Sequence, residues 1–301
     1  MRILLTGATG FIGQWLVPCL SEAGHEVCAI VRSSTDTSGL TAAGVPYIVD
    51  DGIQNIGVAL QAHKPFDGII HLSSLFLSSH NTEDVLPLLS ANVVFPTRLL
   101  DAAVQNGIRW FINTGTGWQH YEDKPYSPVN LYAASKQAFE SLARYYVEAH
   151  GLRFATLALC DTYGPGDTRA KLLRLWCEIA HCGIALDMSE GFQKIDLIYA
   201  ADVAMAFRLL AEHQASSTIF SESMRTFSIS SGEVVSLREL AALFEKVTGK
   251  TLPIRWGARA MRPREVMIPW SAEQCVPGWN PTVSLQEGVL RMWQAHVTAA
   301  T

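Results

Sequence analysis

MRILLTGATGFIG, residues 1–13, runs from an apolar strand straight into three glycines and then into an apolar helix. Gly7, Gly10 and Gly13 each answer a separate steric demand of a diphosphate-binding turn. Gly7 permits the tight turn, Gly10 lets the backbone approach a pyrophosphate, and Gly13 lets the helix pack close to the strand. Thr9, Phe11 and Ile12 complete this cradle, in which free N–H groups and the positive end of the helix dipole face the phosphates. Phe11, Ile12, Trp15, Leu16 and Leu20 continue at helical spacing.

Outward from this turn, β-rich runs at 3–6, 26–31, 47–49, 68–72, 110–114 and 154–160 alternate with helical patterns at 13–23, 53–61, 85–105 and 131–150. Such alternation predicts right-handed βαβ units and an α/β fold with a doubly wound parallel sheet. Beyond Gly164 the alternation lapses. Helices are expected in 170–183, within 195–212 and over 237–248, with extended pieces at 225–230 and 252–255. The expected organisation is a Rossmann-type dinucleotide-binding domain over 1–164, to which 195–230 returns. A smaller C-terminal α/β cap for the substrate is expected from 165–194 and 231–301.

With 301 residues, 49% hydrophobic and 17% charged, and a net charge of −5, the chain carries no basic stripe for nucleic acid. The first strand begins at once, without a charged leader and apolar core, and no uninterrupted apolar run reaches the roughly 20 residues of a membrane span. A cytoplasmic protein without nucleic-acid or membrane partners is expected. Six cysteines without a CxxC read as buried free thiols rather than disulfides or metal ligands.

Tyr132 and Lys136 lie four apart near the start of a helix, so they share a face. An ammonium beside a phenol favours the phenolate, which predicts a lowered tyrosine pKa and proton exchange near neutral pH. Upstream, Asn113-Thr-Gly-Thr116 ends a strand in two hydroxyl residues, where ligands of open α/β sheets sit.

These segments together resemble the extended short-chain dehydrogenase/reductase family of sugar-nucleotide epimerases, dehydratases and reductases. The likeness runs in order through TGATGFIG (6–13), DGIIHLSS (67–74), the Asn92-to-Ala103 pattern, Thr114, Tyr132/Lys136 and YGPG (163–166). It continues through 195–203 with Asp202-Val-Ala204, then 232–250 and WNPTVSLQEG (279–288). The resemblance implies Tyr132 as general acid/base, Lys136 orienting the nicotinamide ribose, and Thr114, or Thr116 beside it, holding the substrate carbonyl. It implies cofactor contacts from Leu72, Ser73, Ser74 and Asn92, and from Asp50 or Asp51 at the adenine. Arg262 matches an arginine that grips the substrate diphosphate, with Arg264 as neighbour. The family's second such arginine falls at Ile195, and Arg169, Lys171 and Arg174 are the cations that can compensate. His120 and Cys160 lie near these segments, each either a second acid or a packed residue.

The second strand ends Val31-Arg32-Ser33-Ser34, without the acidic residue that holds both ribose hydroxyls in NAD-preferring proteins. Arg32 can pair with a 2′-phosphate and Ser33 and Ser34 can bond it, so NADP(H) is expected, with NAD(H) as second choice. Gly115 and Thr116 replace the Asp-Glu pair of the family's 4,6-dehydratases. The resemblance therefore implies an NADPH-dependent reductase of a nucleotide-activated 4-keto-6-deoxy sugar, most similar to the branch that makes CDP-abequose and CDP-paratose. A 4-epimerase, a reductase of a small carbonyl compound and a non-catalytic dinucleotide sensor are the alternatives. A homodimer through helices 93–104 and 132–150 is expected, with Phe95, Phe139, Tyr145 and Tyr146 on their outer faces.

Overall fold

Continuous apolar runs such as Ile3-Leu4-Leu5 and Trp110-Phe111-Ile112 have no solvent side, and in the computed structural model they lie buried in a parallel sheet. The structure describes residues 1–52, 56–63, 65–216, 224–272 and 274–300, so positions 53–55 of the expected helix 53–61 lie outside the described residues. The chain builds β1 (Arg2–Thr6), α1 (Phe11–Glu22), β2 (Glu26–Arg32), α2 (Ser38–Ala42), β3 (Tyr47–Asp50), α3 (Ile56–Gln61) and β4 (Gly68–His71). There follow α4 (Val85–Leu89), α5 (Phe95–Gln105), β5 (Trp110–Thr116), α6 (Leu131–His150), β6 (Arg153–Leu159), β7 (Asp161–Tyr163) and α7 (Leu172–Cys182). The remainder is β8 (Leu186–Met188), β9 (Lys194–Ile195), β10 (Leu197–Tyr199), α8 (Ala200–Ser216), β11 (Arg225–Ser228), β12 (Val235–Ser236), α9 (Leu237–Thr248), β13 (Ile254–Trp256) and α10 (Leu285–Ala300).

Seven of these strands form one parallel sheet in the order β11-β6-β5-β4-β1-β2-β3. The fold is the expected doubly wound α/β sheet. Strand order reverses at β1, which pairs with β2 on one side and β4 on the other, opening a crevice above Thr6 and His71.

Strand periodicity divides the core. Leu5, Ala29, Ile70 and Leu157 face Leu16 of α1 and Phe207 of α8. Leu4, Ile30, Ile69 and Phe111 face Leu99 of α5 and Phe139 of α6. Phe139, expected on an outer face, is only 1% exposed, and Phe95 and Tyr146 also pack on this core; Tyr145 remains 60% exposed. A third core joins Trp176 of α7, Phe244 of α9 and Trp293 of α10. Cys182 and Cys275 depart from the expected buried thiols by lying exposed, whereas Cys28 and Cys177 are buried.

The helix expected over 85–105 is a run of different helical pitches. A short 3₁₀ turn (Thr82–Asp84) and α4 lead into a π turn (Ser90–Val94) before α5. Pro96 supplies the reason: it has no N–H for the carbonyl four residues back, so the ladder is broken at that point. The helical run Thr82–Gln105 is, by its 24-residue length and a window of mean hydropathy 1.2, long and apolar enough to cross a membrane, in contrast to the expectation that no apolar run reaches that length. Leu88, Leu99 and Leu100 within it are fully buried in the protein.

The helix expected within 195–212 is preceded by β9 and β10, and α8 starts only at Ala200. Its first turn is pinned by Asp202, 2% exposed, whose carboxylate accepts hydrogen bonds from Thr282 N (3.1 Å), Thr282 Oγ1 (2.5 Å) and Val283 N (3.1 Å). This ties the helix under the sheet to the segment leading into α10. Asp202→Ala, which strands these donors, is expected to cost roughly 2–4 kcal/mol, read as a lowered thermal midpoint with dinucleotide binding retained.

Candidate active site

At the β1–α1 turn Gly7 has φ +73°, and a Cβ there would lie 2.8 Å from Ser73 N and 3.1 Å from Leu72. A Cβ on Gly13 would lie 2.2 Å from the Gly7 carbonyl. Only glycine fits these two places, and the result is a cradle open toward the crevice. Gly10 caps α1 in an extended conformation with no side-chain bond to the helix and no acidic residue in the first turn. The cradle around Thr9, Phe11 and Ile12, with its uncapped helix N-terminus and close backbone, suits an anion such as the pyrophosphate of a nicotinamide dinucleotide. The opposite wall is tied to β1: Leu72 N donates to Thr6 O (3.2 Å) and Ser73 N to Thr6 Oγ1 (3.2 Å). Ser73 Oγ is buried without a partner, a polar atom left for a ligand.

Along the sheet, Arg32 closes β2 in register with Asp50 at the end of β3. Val31 is buried, while Arg32, Ser33 and Ser34 are exposed. Asp50 is held by Arg98 of α5 through bonds of 3.3 and 3.4 Å, and Asp51 beside it is exposed.

Tyr132 and Lys136 lie on the inward face of α6, 8% and 1% exposed. The helix starts where Asn130 Oδ1 accepts from Ala133 N (3.0 Å), and Asn130 Nδ2 holds the carbonyls of Leu77 and Ser78 (both 3.1 Å). The loop after β4 is thus anchored over the tyrosine. Ser74 hydrogen-bonds the phenol, and the Phe76 ring meets Tyr132 edge-on with centroids 5.0 Å apart. Burial pushes the phenol up to about 12, the Ser74 bond and the Arg169 guanidinium pull it down, and Asp161 raises it. The expected lowering by Lys136 is not what governs this tyrosine. Lys136 Nζ lies 6.0 Å from the ring centroid, and the cost of burying a phenolate dominates. Burial likewise depresses the Lys136 ammonium to about 8, while Glu140 one turn on raises it.

Glu140 was not singled out by sequence reasoning, although a third residue at the Tyr132/Lys136 spacing was a usable signal. Its Oε1 accepts from Thr156 Oγ1 (3.1 Å) and Asn113 Nδ2 (3.4 Å), joining α6 to β5 and β6. His71 is a second such residue. It is fully buried, its Nδ1 lies 2.8 Å from Thr6 Oγ1, and burial with the Lys136 charge holds its imidazole far below the ordinary range.

Thr114 stands at the end of β5 with its hydroxyl donating to the His71 carbonyl (2.8 Å). Thr116 is buried, and its Oγ1 accepts from Trp118 N (3.3 Å). Asn92, in the π turn, is spent on the framework: it exchanges hydrogen bonds with the Leu75 backbone (2.8 and 2.9 Å) and donates to Ser135 Oγ (3.1 Å).

On the cap side Arg262 lies over the Trp118 ring (5.4 Å) and is paired with both oxygens of Glu265 (2.7 and 3.0 Å). Arg264, with φ +74°, lies over Tyr121 (4.2 Å) and donates to Ser127 Oγ (2.7 Å). His120 is stacked on Trp270 at 3.9 Å, and burial lowers its pKa. Cys160 donates to the Trp270 carbonyl (3.7 Å), and burial pushes its thiol up. Both are packed residues here. Among the described residues no group of three or more His, Cys, Asp or Glu is arranged to hold a metal ion.

Known proteins are similar to this chain over most of its length. The CDP-abequose synthase of Salmonella typhimurium is 26% identical over 292 residues, covering 95% of each chain. The UDP-glucose 4-epimerase of Corynebacterium glutamicum is 25% identical over 306 residues, covering 93% of this chain and 91% of that one. In fold, the chain is similar to MoeE5 in complex with UDP-glucuronic acid and NAD (TM-score 0.84, 23% identity, covering 99% of this chain and all of that one). The profile of the NAD dependent epimerase/dehydratase family matches residues 3–221, most of the 301. The glycine cradle, the parallel sheet and the Tyr132/Lys136 helix are thus those of an extended short-chain dehydrogenase/reductase, and the chain belongs to the NAD dependent epimerase/dehydratase family.

Proposed function

We propose that the protein reduces the 4-keto group of a nucleotide-activated 4-keto-6-deoxy sugar, with NADPH as reductant. The observation that carries this reading is the state of Tyr132. Its phenol is buried at the crevice on the helix face that carries Lys136 and stays protonated at neutral pH, and a ketone that receives a hydride needs a proton donor at its oxygen. The cradle of Gly7, Gly10 and Gly13 would hold the dinucleotide pyrophosphate, and the bound nicotinamide supplies the hydride. Tyr132 Oη gives its proton to the ketone oxygen. The Ser74 hydroxyl stands beside the phenol and favours its charged form. Thr114 steadies the substrate oxygen once its hydroxyl turns from the His71 carbonyl. The near full-length likeness to CDP-abequose synthases supports a sugar-nucleotide substrate. Gly115 and Thr116, which carry no carboxylate, argue against dehydration. A 4-epimerase is the second reading, favoured by the likeness to UDP-glucose 4-epimerases.

For the adenosine end, Arg32 with Ser33 and Ser34 would take a 2′-phosphate. No carboxylate stands at Val31 to repel it, and Asp50 is occupied by Arg98. The exposed Leu142 and Tyr145 of α6 and Val94 before α5 supply the apolar face through which two copies would pair. Sedimentation is expected to return twice the chain mass, and a monomer would remove the dimer.

Absorbance of NADPH is the direct test, with CDP-, dTDP- and GDP-linked 4-keto-6-deoxy sugars. One of them is expected to consume NADPH, and Tyr132→Phe to slow the reaction by about 10²–10⁴-fold. Arg32→Ala is expected to raise KM for NADPH by about tenfold or more with little change for NADH. Consumption of NADPH with none of the three sugars would overturn the reductase reading.

The pH profile carries a further expectation. Reduction needs Tyr132 protonated, which burial secures, and Lys136 charged, which fails as pH rises through about 8. The rate should therefore fall above that pH. Glu140→Gln removes the neighbour that raises the Lys136 pKa, so the fall should move to lower pH. A profile unmoved by Glu140→Gln would show that the limb belongs to another group.

A further inference from the structure

Besides Lys136, four cations among the described residues stand near Tyr132 and the adjoining cleft, and each is paired with a carboxylate. The cleft is lined by residues that include Asp161, Asp167, Lys171, Arg174, Ile195 and Met292. Arg169 makes a fork with Asp167 (2.7 and 2.8 Å) and also donates to Thr162 O and Oγ1, both at 3.1 Å. Arg174 bonds Glu178 one turn along its own helix (2.9 Å) and the Thr168 carbonyl. Arg262 makes its fork with Glu265. Lys171 pairs with Asp161 at 3.1 Å. Each of these four charges is already answered by a carboxylate, so a dianion entering here has to compete for it.

The four pairs are unequal. Three are arginines held at two or more points or within one helix, a geometry that resists opening. Lys171–Asp161 is a single contact between a point charge on a flexible stem and a carboxylate on β7, with side chains 25% and 32% exposed. A pair of that kind contributes little by itself. Its position also reaches toward Tyr132 through Phe76. Lys171 Nζ lies 4.2 Å from the centroid of the Phe76 ring, whose edge meets the Tyr132 ring. Asp161 is near enough for its charge to act on Tyr132, Cys160 and Arg262. Ile195, from the facing strand, brings no cation to this cleft.

We propose that Lys171 is the residue that takes the substrate's diphosphate and that Asp161 is its competitor, the pair opening as the nucleotide enters. The inference rests on the sugar-nucleotide reading above. It assigns opposite signs to two neighbours. Lys171 lends a charge to the ligand. Asp161 withholds that charge and repels the ligand, so its neutralisation strengthens binding. An ion pair that only fastened the cap to β7 would behave otherwise, since loss of either partner would loosen the same contact.

The test is binding of CDP, UDP and dTDP by titration calorimetry, with NADPH binding and thermal midpoint measured on each protein. Lys171→Met is expected to weaken the preferred nucleoside diphosphate about tenfold and Asp161→Asn to tighten it several-fold. Lys171→Arg should retain binding, NADPH binding should hold in all variants, and the wild-type affinity should fall with salt more steeply than that of Lys171→Met. If both variants weaken binding, or neither changes it, the proposal is overturned. If the wild-type protein binds NADPH and none of the three nucleotides, the sugar-nucleotide reading itself fails and takes this inference with it.

Discussion

The backbone of Gly7 approaches the end of β4 so closely that a side chain there would strike Ser73 N at 2.8 Å, and the geometry of the site descends from this contact. It places the first turn of α1 against the loop that follows His71. Thr6 secures the approach with three bonds: its hydroxyl accepts from Ser73 N and shares a bond with His71 Nδ1, and its carbonyl accepts from Leu72 N. From there the loop carries Ser74 to the Tyr132 phenol and Phe76 to its ring. The glycine cradle and Tyr132 are therefore held by one short segment. Their relative position is set by backbone contact rather than by flexible side chains.

Burial is the second ordering influence. Lys136 and His71 are almost without solvent, and Glu140 is folded into bonds with Asn113 and Thr156. In such surroundings a charge is costly unless another group answers it. That single cost raises Tyr132, lowers Lys136 and keeps His71 neutral, so three groups of different chemistry are tuned by one low-dielectric pocket. The cap follows a different rule. Its charges are nearer water, and they are matched in pairs instead of being suppressed.

Much of this was legible in the residues. Strands buried on both faces announce themselves as apolar runs, and the glycine spacing states its own steric reason. The Tyr132/Lys136 pair was visible, yet the sign of the tyrosine shift was not, because it depends on solvent exclusion by Phe76 and the loop above. Phe139 could have been placed correctly. Tyr132, Lys136, Phe139 and Ala143 form one helical stripe, and a residue on the stripe of two buried groups must point inward, leaving Tyr145 outside. The helix α10 went unread because Leu285, Val289 and Trp293 gain meaning only against α7 and α9. The ion pairs around the cleft were unreadable for a similar reason: Lys171 and Asp161 are brought together by the turn between β7 and α7, and spacing along the chain does not foretell that contact.

The π turn at Ser90–Val94 has one more consequence. It accommodates an extra residue in an otherwise α-helical run, and that residue is what aims Asn92 at Leu75 and Ser135. Shortening the turn by one residue would rotate everything on the N-terminal side by roughly 100° about the helix axis. Leu88 would leave the core, Asn92 would swing away from the loop, and the segment carrying Ser74 and Phe76 would lose its clasp. A break in the helical ladder imposed by one proline thus works as an indexing device, which sets the angular position of a remote amide against the active-site loop.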